Sequence, residues 1–145
     1  NIVPLLRKTL IDILNDSRYA DQSIELQTNV DKLMLNIDTV LIRRAVTNLI
    51  LNALVHNDAD VKIIVQLEQK EHTHITIKDN GKGIEEAELE KVFDRYYRGT
   101  NTAGTHAGSG LGMAIAKDII QKHGGDITIQ SIIGEGTTID IQLPT

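Results

Sequence analysis

The sequence predicts a two-layer α/β sandwich, in which a mixed, mostly antiparallel sheet of about five strands carries three helices on one face. Two observations lead to this fold. Apolar residues recur at helical spacing over residues 3–18, 38–57 and 111–123, and they alternate with polar residues in several shorter segments. With 145 residues and 41% hydrophobic content, the chain has the length and composition of one globular domain.

The ends of the long helices are marked by residue type. Asp38 is the predicted N-cap of the second helix, and Gly124-Gly125 is a typical C-terminal signal for the third. A short additional helix is predicted over residues 85–92. Ile42, Val46, Leu49 and Ala53 form the predicted buried stripe of the second helix.

Alternation predicts the strands and two hairpins. One hairpin turns at the charged segment 68–72 and the other at Gly134-Glu135-Gly136. The strands are predicted over residues 24–27, 33–35, 61–67, 75–78, 127–132 and 138–143.

Composition excludes several classes of protein. The sequence has no cysteine, which rules out a disulfide scaffold and a thiolate metal site. A net charge of −5 and only four aromatic residues argue against nucleic-acid binding. No apolar run approaches the roughly 20 residues that span a bilayer. Because the sequence starts at Asn1 rather than Met, we expect it to be a fragment of a longer protein.

Glycines are unevenly distributed. All eleven follow Asp79, and seven of them lie in three short motifs. Glycine lets backbone approach a ligand closely, so this distribution indicates a nucleotide-binding pocket. With one asparagine motif, four motifs follow one another in the order Asn48-Leu49-Ile50-Leu51-Asn52-Ala53, Asp79-Asn80-Gly81-Lys82-Gly83, Gly108-Ser109-Gly110-Leu111-Gly112 and Gly134-Glu135-Gly136-Thr137.

The asparagine motif lies on the second helix. Asn48 and Asn52 are four residues apart and share a face, with His56 one turn further on. An amide oxygen is a neutral ligand that suits Mg²⁺ when phosphates supply the negative charge. The alternative is that these asparagines simply face solvent.

The first glycine motif opens with a carboxylate. Asp79 only accepts hydrogen bonds, so it can select adenine, whose exocyclic amino group is a donor, over guanine. Gly81 and Gly83 would let the loop approach the base. An ordinary turn after a strand is the alternative interpretation.

The second glycine motif leads directly into a helix, a geometry that favours phosphate binding. Its spacing matches neither a dinucleotide fingerprint nor a P-loop. A flexible loop before a helix is the alternative, and the third motif alone would be only a hairpin turn.

These motifs, together with the segment Val92-Phe93-Asp94-Arg95-Tyr96-Tyr97-Arg98-Gly99, resemble those of the catalytic ATP-binding domain of bacterial sensor histidine kinases. In that family they are the N box, the F box and three glycine boxes, and the resemblance extends over essentially the whole chain, 1–145. It implies the Bergerat ATP-binding fold, with ATP and Mg²⁺ as cofactors and residues 100–107 as a mobile ATP lid.

The resemblance also implies a role for individual residues. Asn52 is the expected Mg²⁺ ligand, and Asn48 and Arg98 are the expected helpers near the phosphates. Asp79 is expected to bind the adenine amino group with support from Thr137, and Phe93 to anchor the lid. The remaining expected nucleotide-binding residues are His56, Gly81, Gly83, Ile84, Tyr97, Gly108, Gly110, Leu111 and Gly112.

Two positions depart from related patterns. The residue three after Asn52 is often a phosphate-binding Lys or Arg in this family, but here it is Val55, which predicts weaker phosphate affinity. Relatives of this fold that hydrolyse ATP carry a glutamate where this chain has Asn48, and an amide cannot act as a base. The sequence therefore favours phosphoryl transfer over hydrolysis.

None of the five histidines lies in the sequence context of a phosphoacceptor. The resemblance therefore implies partners outside this sequence, namely a dimerisation and phosphoacceptor domain of the same protein and a response regulator. We expect a monomeric isolated domain, a homodimeric full-length protein and a cytoplasmic position in a membrane-bound kinase. The alternatives are a conformational ATPase, an anti-sigma-type serine kinase and an inactive nucleotide-binding module.

Overall fold

The computed structural model describes residues 1–17, 19–57, 61–89, 91–93 and 112–144. Within them the predicted α/β sandwich is confirmed, with four helices and five strands. The elements are α1 (Ile2–Leu14), β1 (Ser23–Thr28), α2 (Thr39–His56), β2 (Lys62–Gln69), β3 (Thr73–Asp79), α3 (Glu86–Leu89), α4 (Gly112–Lys122), β4 (Asp126–Ile132) and β5 (Gly136–Leu143).

The five strands form one sheet in the order β1-β2-β3-β5-β4. β1 runs parallel to β2, and the other three pairs are antiparallel, as expected for a mixed, mostly antiparallel sheet. Both predicted hairpins are present, as β2–β3 and β4–β5. β5 comes last among these strands in the chain, yet it pairs with β3 on one side and β4 on the other.

Strand alternation gives the sheet one apolar and one polar face. The apolar face packs against the helices, and its side chains include the fully buried Ile63, Ile75 and Ile141. On the opposite face, Nδ1 of His74 lies 3.2 Å from both carboxylate oxygens of Asp140. The hydrophobic core therefore lies between the helices and one side of the sheet only.

α2 is the central helix, in contact with α1 on one side and α4 on the other. Its predicted N-cap is confirmed, because Asp38 Oδ1 accepts a hydrogen bond from the Leu41 N–H at 3.0 Å. His123, directly after α4, contacts the Ile119 carbonyl through Nδ1 at 2.8 Å and accepts from the Asp38 N–H through Nε2 at 3.0 Å. These bonds tie the end of α4 to the start of α2.

The predicted strand at residues 33–35 is wrong. Leu33 instead packs on the start of α1, where its N–H donates to Asn1 Oδ1 at 3.2 Å and its carbonyl accepts from the Ile2 N–H at 2.9 Å. These bonds use the backbone groups that a sheet would otherwise pair. Other differences concern element ends, since α1 stops at Leu14 and α3 is shorter than predicted.

Of the helices that the structure describes, none combines the length and apolar character that crossing a bilayer requires.

Candidate functional site

Two of the predicted site residues lie side by side at one end of the sheet. Asp79 ends β3, and Thr137 is the second residue of β5; the strand register pairs the two directly. Alternation places both on the helix-facing side, where Thr137 is 7% exposed. The sheet therefore brings together a carboxylate and a hydroxyl that are 58 positions apart in the chain.

The loop after Asp79 is held by side chains. Asp79 Oδ1 accepts from the Gly81 N–H at 2.9 Å, and Asn80 Oδ1 accepts from the Lys62 N–H at 2.7 Å. Lys82 N–H donates to Asn57 Oδ1 at 3.1 Å. The bonds of Asn80 and Lys82 therefore tie this loop to β2 and to the end of α2, while the Gly81 bond lies within the loop itself.

Two glycines allow this loop and the β4–β5 hairpin to pass close to each other. Gly83 has a φ of +80°, and a Cβ there would lie 2.5 Å from the Ile132 carbonyl oxygen. Gly136 has a φ of +124°, and its Cβ would overlap the carbonyl of Asp79. Side chains are therefore excluded at both positions by backbone conformation and by space.

Asn57 joins this loop to α2. Its Nδ2 donates to the Ala53 carbonyl at 2.9 Å while its Oδ1 accepts from Lys82 N–H. A Cβ on Gly81 would overlap the Asn57 amide, so Gly81 makes room for this contact. The end of the helix that carries both predicted asparagines is thus tied to the loop that follows the carboxylate.

Ser131 joins the far end of the loop to Thr137. The Ile84 N–H donates to Ser131 Oγ at 2.7 Å. Ser131 Oγ also lies 3.0 Å from the Gly136 carbonyl oxygen and 2.9 Å from Thr137 Oγ1. One hydroxyl therefore contacts three groups of the predicted pocket.

The structure describes part of the predicted phosphate-binding end of the pocket. Asn48 is half-buried in α2, and Asn52, one turn later, is exposed. A Cβ on Gly112, the first residue of α4, would lie 3.9 Å from Asn48 Cβ. The start of α4 is therefore beside the asparagine face of α2, as phosphate binding between them requires. Val55 is half-buried in the same helix.

Several predicted residues lie outside the described part of the chain, so their roles stay predictions. For His56 the structure gives the helix position but not the side chain. The others are Tyr97, Arg98, Gly108, Gly110 and Leu111, together with the predicted lid at residues 100–107.

Sequence reasoning missed Asn57 and Ser131. Asn57 directly follows the last residue of α2, and an asparagine at a helix end gives no sequence signal for a distant partner. For Ser131 a signal existed, because alternation places it on the same face as Ile127 and Ile129. A hydroxyl in an otherwise apolar inward series needs a polar partner.

Comparison with known proteins identifies the family. Residues 37–145 match the family of histidine kinase-, DNA gyrase B-, and HSP90-like ATPases. The chain is 37% identical over 142 residues to the sensor histidine kinase YvrG of Bacillus subtilis, covering 97% of this chain and 24% of that protein. It is 40% identical over 131 residues to the sensor histidine kinase WalK of the same organism, covering 86% of this chain and 21% of WalK. It thus spans about a quarter of their length or less.

Solved structures agree with this assignment. The mycobacterial sensor histidine kinase MprB superposes with a TM-score of 0.82 at 30% identity, covering 99% of this chain and 95% of that one. The catalytic domain of histidine kinase ThkA gives a TM-score of 0.84 at 25% identity, covering 99% and 92%. The fold and motif resemblance are thereby confirmed, and the chain belongs to the histidine kinase-, DNA gyrase B- and HSP90-like ATPase family.

Proposed function

We propose that this chain is the catalytic domain of a sensor histidine kinase, which binds Mg-ATP and presents the γ-phosphate to a histidine on a separate phosphoacceptor domain. The observation that carries the proposal is the pairing of Asp79 with Thr137 beside a helix that presents two amides and no carboxylate. Family membership and the sensor-kinase relatives support the same reaction.

Adenine recognition rests on Asp79. The Gly81 N–H donates to its Oδ1, and a carboxylate has about four lone-pair sites with which to accept hydrogen bonds. Adenine carries an amino donor where guanine carries a carbonyl acceptor. A fixed carboxylate at this point therefore favours adenine and opposes guanine.

The side-chain amide oxygens on α2 are suitable ligands for a magnesium ion that arrives bound to its nucleotide. Mg²⁺ usually keeps several waters and takes one or two protein oxygens plus phosphate oxygens. Asn52 is exposed on α2 and offers such an oxygen, and Asn48 lies beside the start of α4. When bound, the ion would neutralise phosphate charge, while Asn52 holds it and Asn48 orients the adjoining phosphates.

Transfer is favoured over hydrolysis because α2 carries no carboxylate, and because Asn48 stands where relatives of this fold that hydrolyse ATP carry a glutamate. The sequence between Thr39 and His56 contains no Asp or Glu. Activating water for attack needs a group that accepts a proton, and an amide does not. The nucleophile must therefore come from elsewhere, and the pocket contributes positioning and electrostatics.

The test uses γ-labelled radioactive ATP with Mg²⁺ and the purified chain, alone and with a sensor-kinase phosphoacceptor hairpin supplied as a separate polypeptide. We expect ATP binding by the chain alone without steady turnover. Label should appear on the hairpin as an acid-labile phosphohistidine. A hairpin whose acceptor histidine is replaced by alanine is the control and should stay unlabelled.

Other outcomes would identify the alternatives. Steady multiple-turnover hydrolysis by the chain alone would indicate a conformational ATPase. An acid-stable phosphate on a serine substrate would indicate a serine kinase, and no heat of binding with Mg-ATP would indicate an inactive module. Each of these contradicts the proposal.

The sensor-kinase relatives support the remaining partners that we propose. The proposal places this domain in a larger, homodimeric, membrane-bound kinase, on the cytoplasmic side, with a response regulator as the final phosphate acceptor. The isolated domain would then be a monomer.

Loss of the Asn57 side chain is expected to weaken ATP binding about tenfold, because Lys82 N–H loses its partner and the loop is released from α2. The change is Asn57→Ala, and the measurement is calorimetric titration with Mg-ATP. Asn15→Ala is the matched control, since Asn15 is also a helix C-cap, at the end of α1. Equal affinity in the two variants would contradict a role for Asn57 in the pocket.

A further inference from the structure

We propose that Ser131 is a positioning residue for base recognition. It accepts a hydrogen bond from the Thr137 hydroxyl, so that Thr137 presents only lone pairs to the purine. The expected consequence is sharper discrimination between a 6-amino and a 6-oxo purine. This inference rests on the proposed function, because it concerns the nucleotide pocket formed by Asp79 and Thr137.

The argument begins with the hydrogen-bonding capacity of Ser131. A hydroxyl has one proton to donate and two lone pairs to accept with. The Ile84 N–H, 2.7 Å away, can only donate, so it occupies one lone pair. The Gly136 carbonyl oxygen, 3.0 Å away, can only accept, so Ser131 donates its one hydrogen bond to it.

The remaining contact is with the Thr137 hydroxyl, and these two bonds determine which of the two hydroxyls donates. Ser131 Oγ has a single lone pair left for Thr137 Oγ1 at 2.9 Å, so Thr137 must donate. This is the one arrangement that satisfies all three contacts at once. In the reverse arrangement, with Ser131 donating to Thr137, the Gly136 carbonyl loses its bond and a lone pair of Ser131 goes unused.

Thr137 and Asp79 therefore form a pocket edge that accepts hydrogen bonds and donates none. The Thr137 hydroxyl donates its hydrogen bond to Ser131, and its register partner Asp79 carries a carboxylate, which accepts and does not donate. An amino group at position 6 of a purine offers two N–H donors to such an edge. A carbonyl at the same position would face oxygens alone, with no proton between them.

Removing the Ser131 hydroxyl changes the hydrogen bonding of one group on this edge, the Thr137 hydroxyl. In Ser131→Ala the Thr137 hydroxyl no longer has its acceptor and can turn to donate to the ligand. A 6-oxo purine would then gain a hydrogen bond that the native pocket denies it. The amino group at position 6 of ATP cannot accept such a bond, so the preference for ATP over the 6-oxo nucleotide falls even where overall affinity also changes.

The experiment measures calorimetric affinities for ATP and for inosine triphosphate, which has a carbonyl at position 6 and an N–H at position 1 where ATP has an amino group and an unprotonated nitrogen. The native chain is expected to prefer ATP by at least about tenfold. Ser131→Ala should reduce this ratio by about fivefold to tenfold. In a Thr137→Val background, where no hydroxyl can turn, Ser131→Ala should leave the ratio unchanged.

Controls separate this role from a merely structural one. Thr128→Ala removes a hydroxyl from the opposite face of the same strand and should keep the native ratio. Ser131→Cys, close to serine in shape but with a weak hydrogen-bonding group, should also lower the ratio and serves if the alanine variant fails to fold.

Two results would overturn the inference, and they differ from failure of the proposed function. One is an equal loss of ATP and inosine triphosphate affinity in Ser131→Ala, with the native ratio kept. The other is a fall in the ratio that persists in the Thr137→Val background. A native chain that binds both nucleotides equally, or neither, would instead contradict adenine recognition by Asp79 and with it the proposed function.

Discussion

Asp79→Asn is expected to weaken ATP binding about 100-fold, equivalent to about 2.7 kcal/mol. The asparagine oxygen can still accept from the Gly81 N–H, as Asp79 Oδ1 does at 2.9 Å. Its amide nitrogen then lies where the second carboxylate oxygen was, and two donors face each other at the adenine amino group. The loss therefore combines a missing charge-assisted bond with a repulsive contact. Calorimetric titration with Mg-ATP measures it.

A matched control is available in the same sheet, on β4. Asp126 is also a strand-end carboxylate that accepts a local backbone bond, from the Ile127 N–H at 2.8 Å, and it is exposed. Asp126→Asn should bind ATP like the native chain. Thermal unfolding of both variants verifies that they are folded. If Asp79→Asn retained native affinity while folded, adenine recognition through this carboxylate would be refuted.

Gly136→Ala is expected to destabilise the fold by about 4 kcal/mol. Its φ of +124° belongs to a region that side chains rarely adopt, and a Cβ there would overlap the Asp79 carbonyl, which is backbone and cannot turn away. Relief would require β3 and β5 to separate at the point where the pocket lies. Thermal denaturation should show a fall of about 10 °C or more in the melting temperature.

Gly134, in the same hairpin turn, provides the comparison. It has a φ of +84°, but a Cβ there would meet nothing within 4 Å among the atoms of the described residues. Gly134→Ala therefore involves only the conformational cost, about 1 kcal/mol. The difference between the two variants measures the steric part. Equal destabilisation would contradict the close approach of Gly136 to β3.

The sequence predicted most of the fold because its signals were local. Alternation located both hairpins, and Asp38 marked the start of α2, since these patterns depend only on neighbouring residues. The failure at residues 33–35 has the opposite cause. A short apolar segment pairs with whatever backbone is nearest in space, and here that was the start of α1 rather than a strand.

The sequence predicts the paired residues of the proposed site, and it does not indicate which residues hold them. Asp79 and Thr137 belong to motifs, so they could be read from the sequence. Asn57 and Ser131 make hydrogen bonds to residues that are far away in the sequence, Lys82 and Ile84. Their partners are 25 and 47 positions away, and no periodicity in one chain reveals such pairs. Only the assembled sheet and helix bring them into contact.

The position of β5 in the sheet has a consequence for the order of folding. β3 obtains its second neighbour only when β5 inserts beside it, and β5 is the last strand along the chain. The segment between their paired residues must close as a long loop, which is entropically costly and slow. An intermediate that has formed only β1, β2 and β3 would possess the carboxylate but no threonine opposite it. Nucleotide would then bind only after the sheet is complete. ATP binding would therefore stabilise the state in which the final strand is in place.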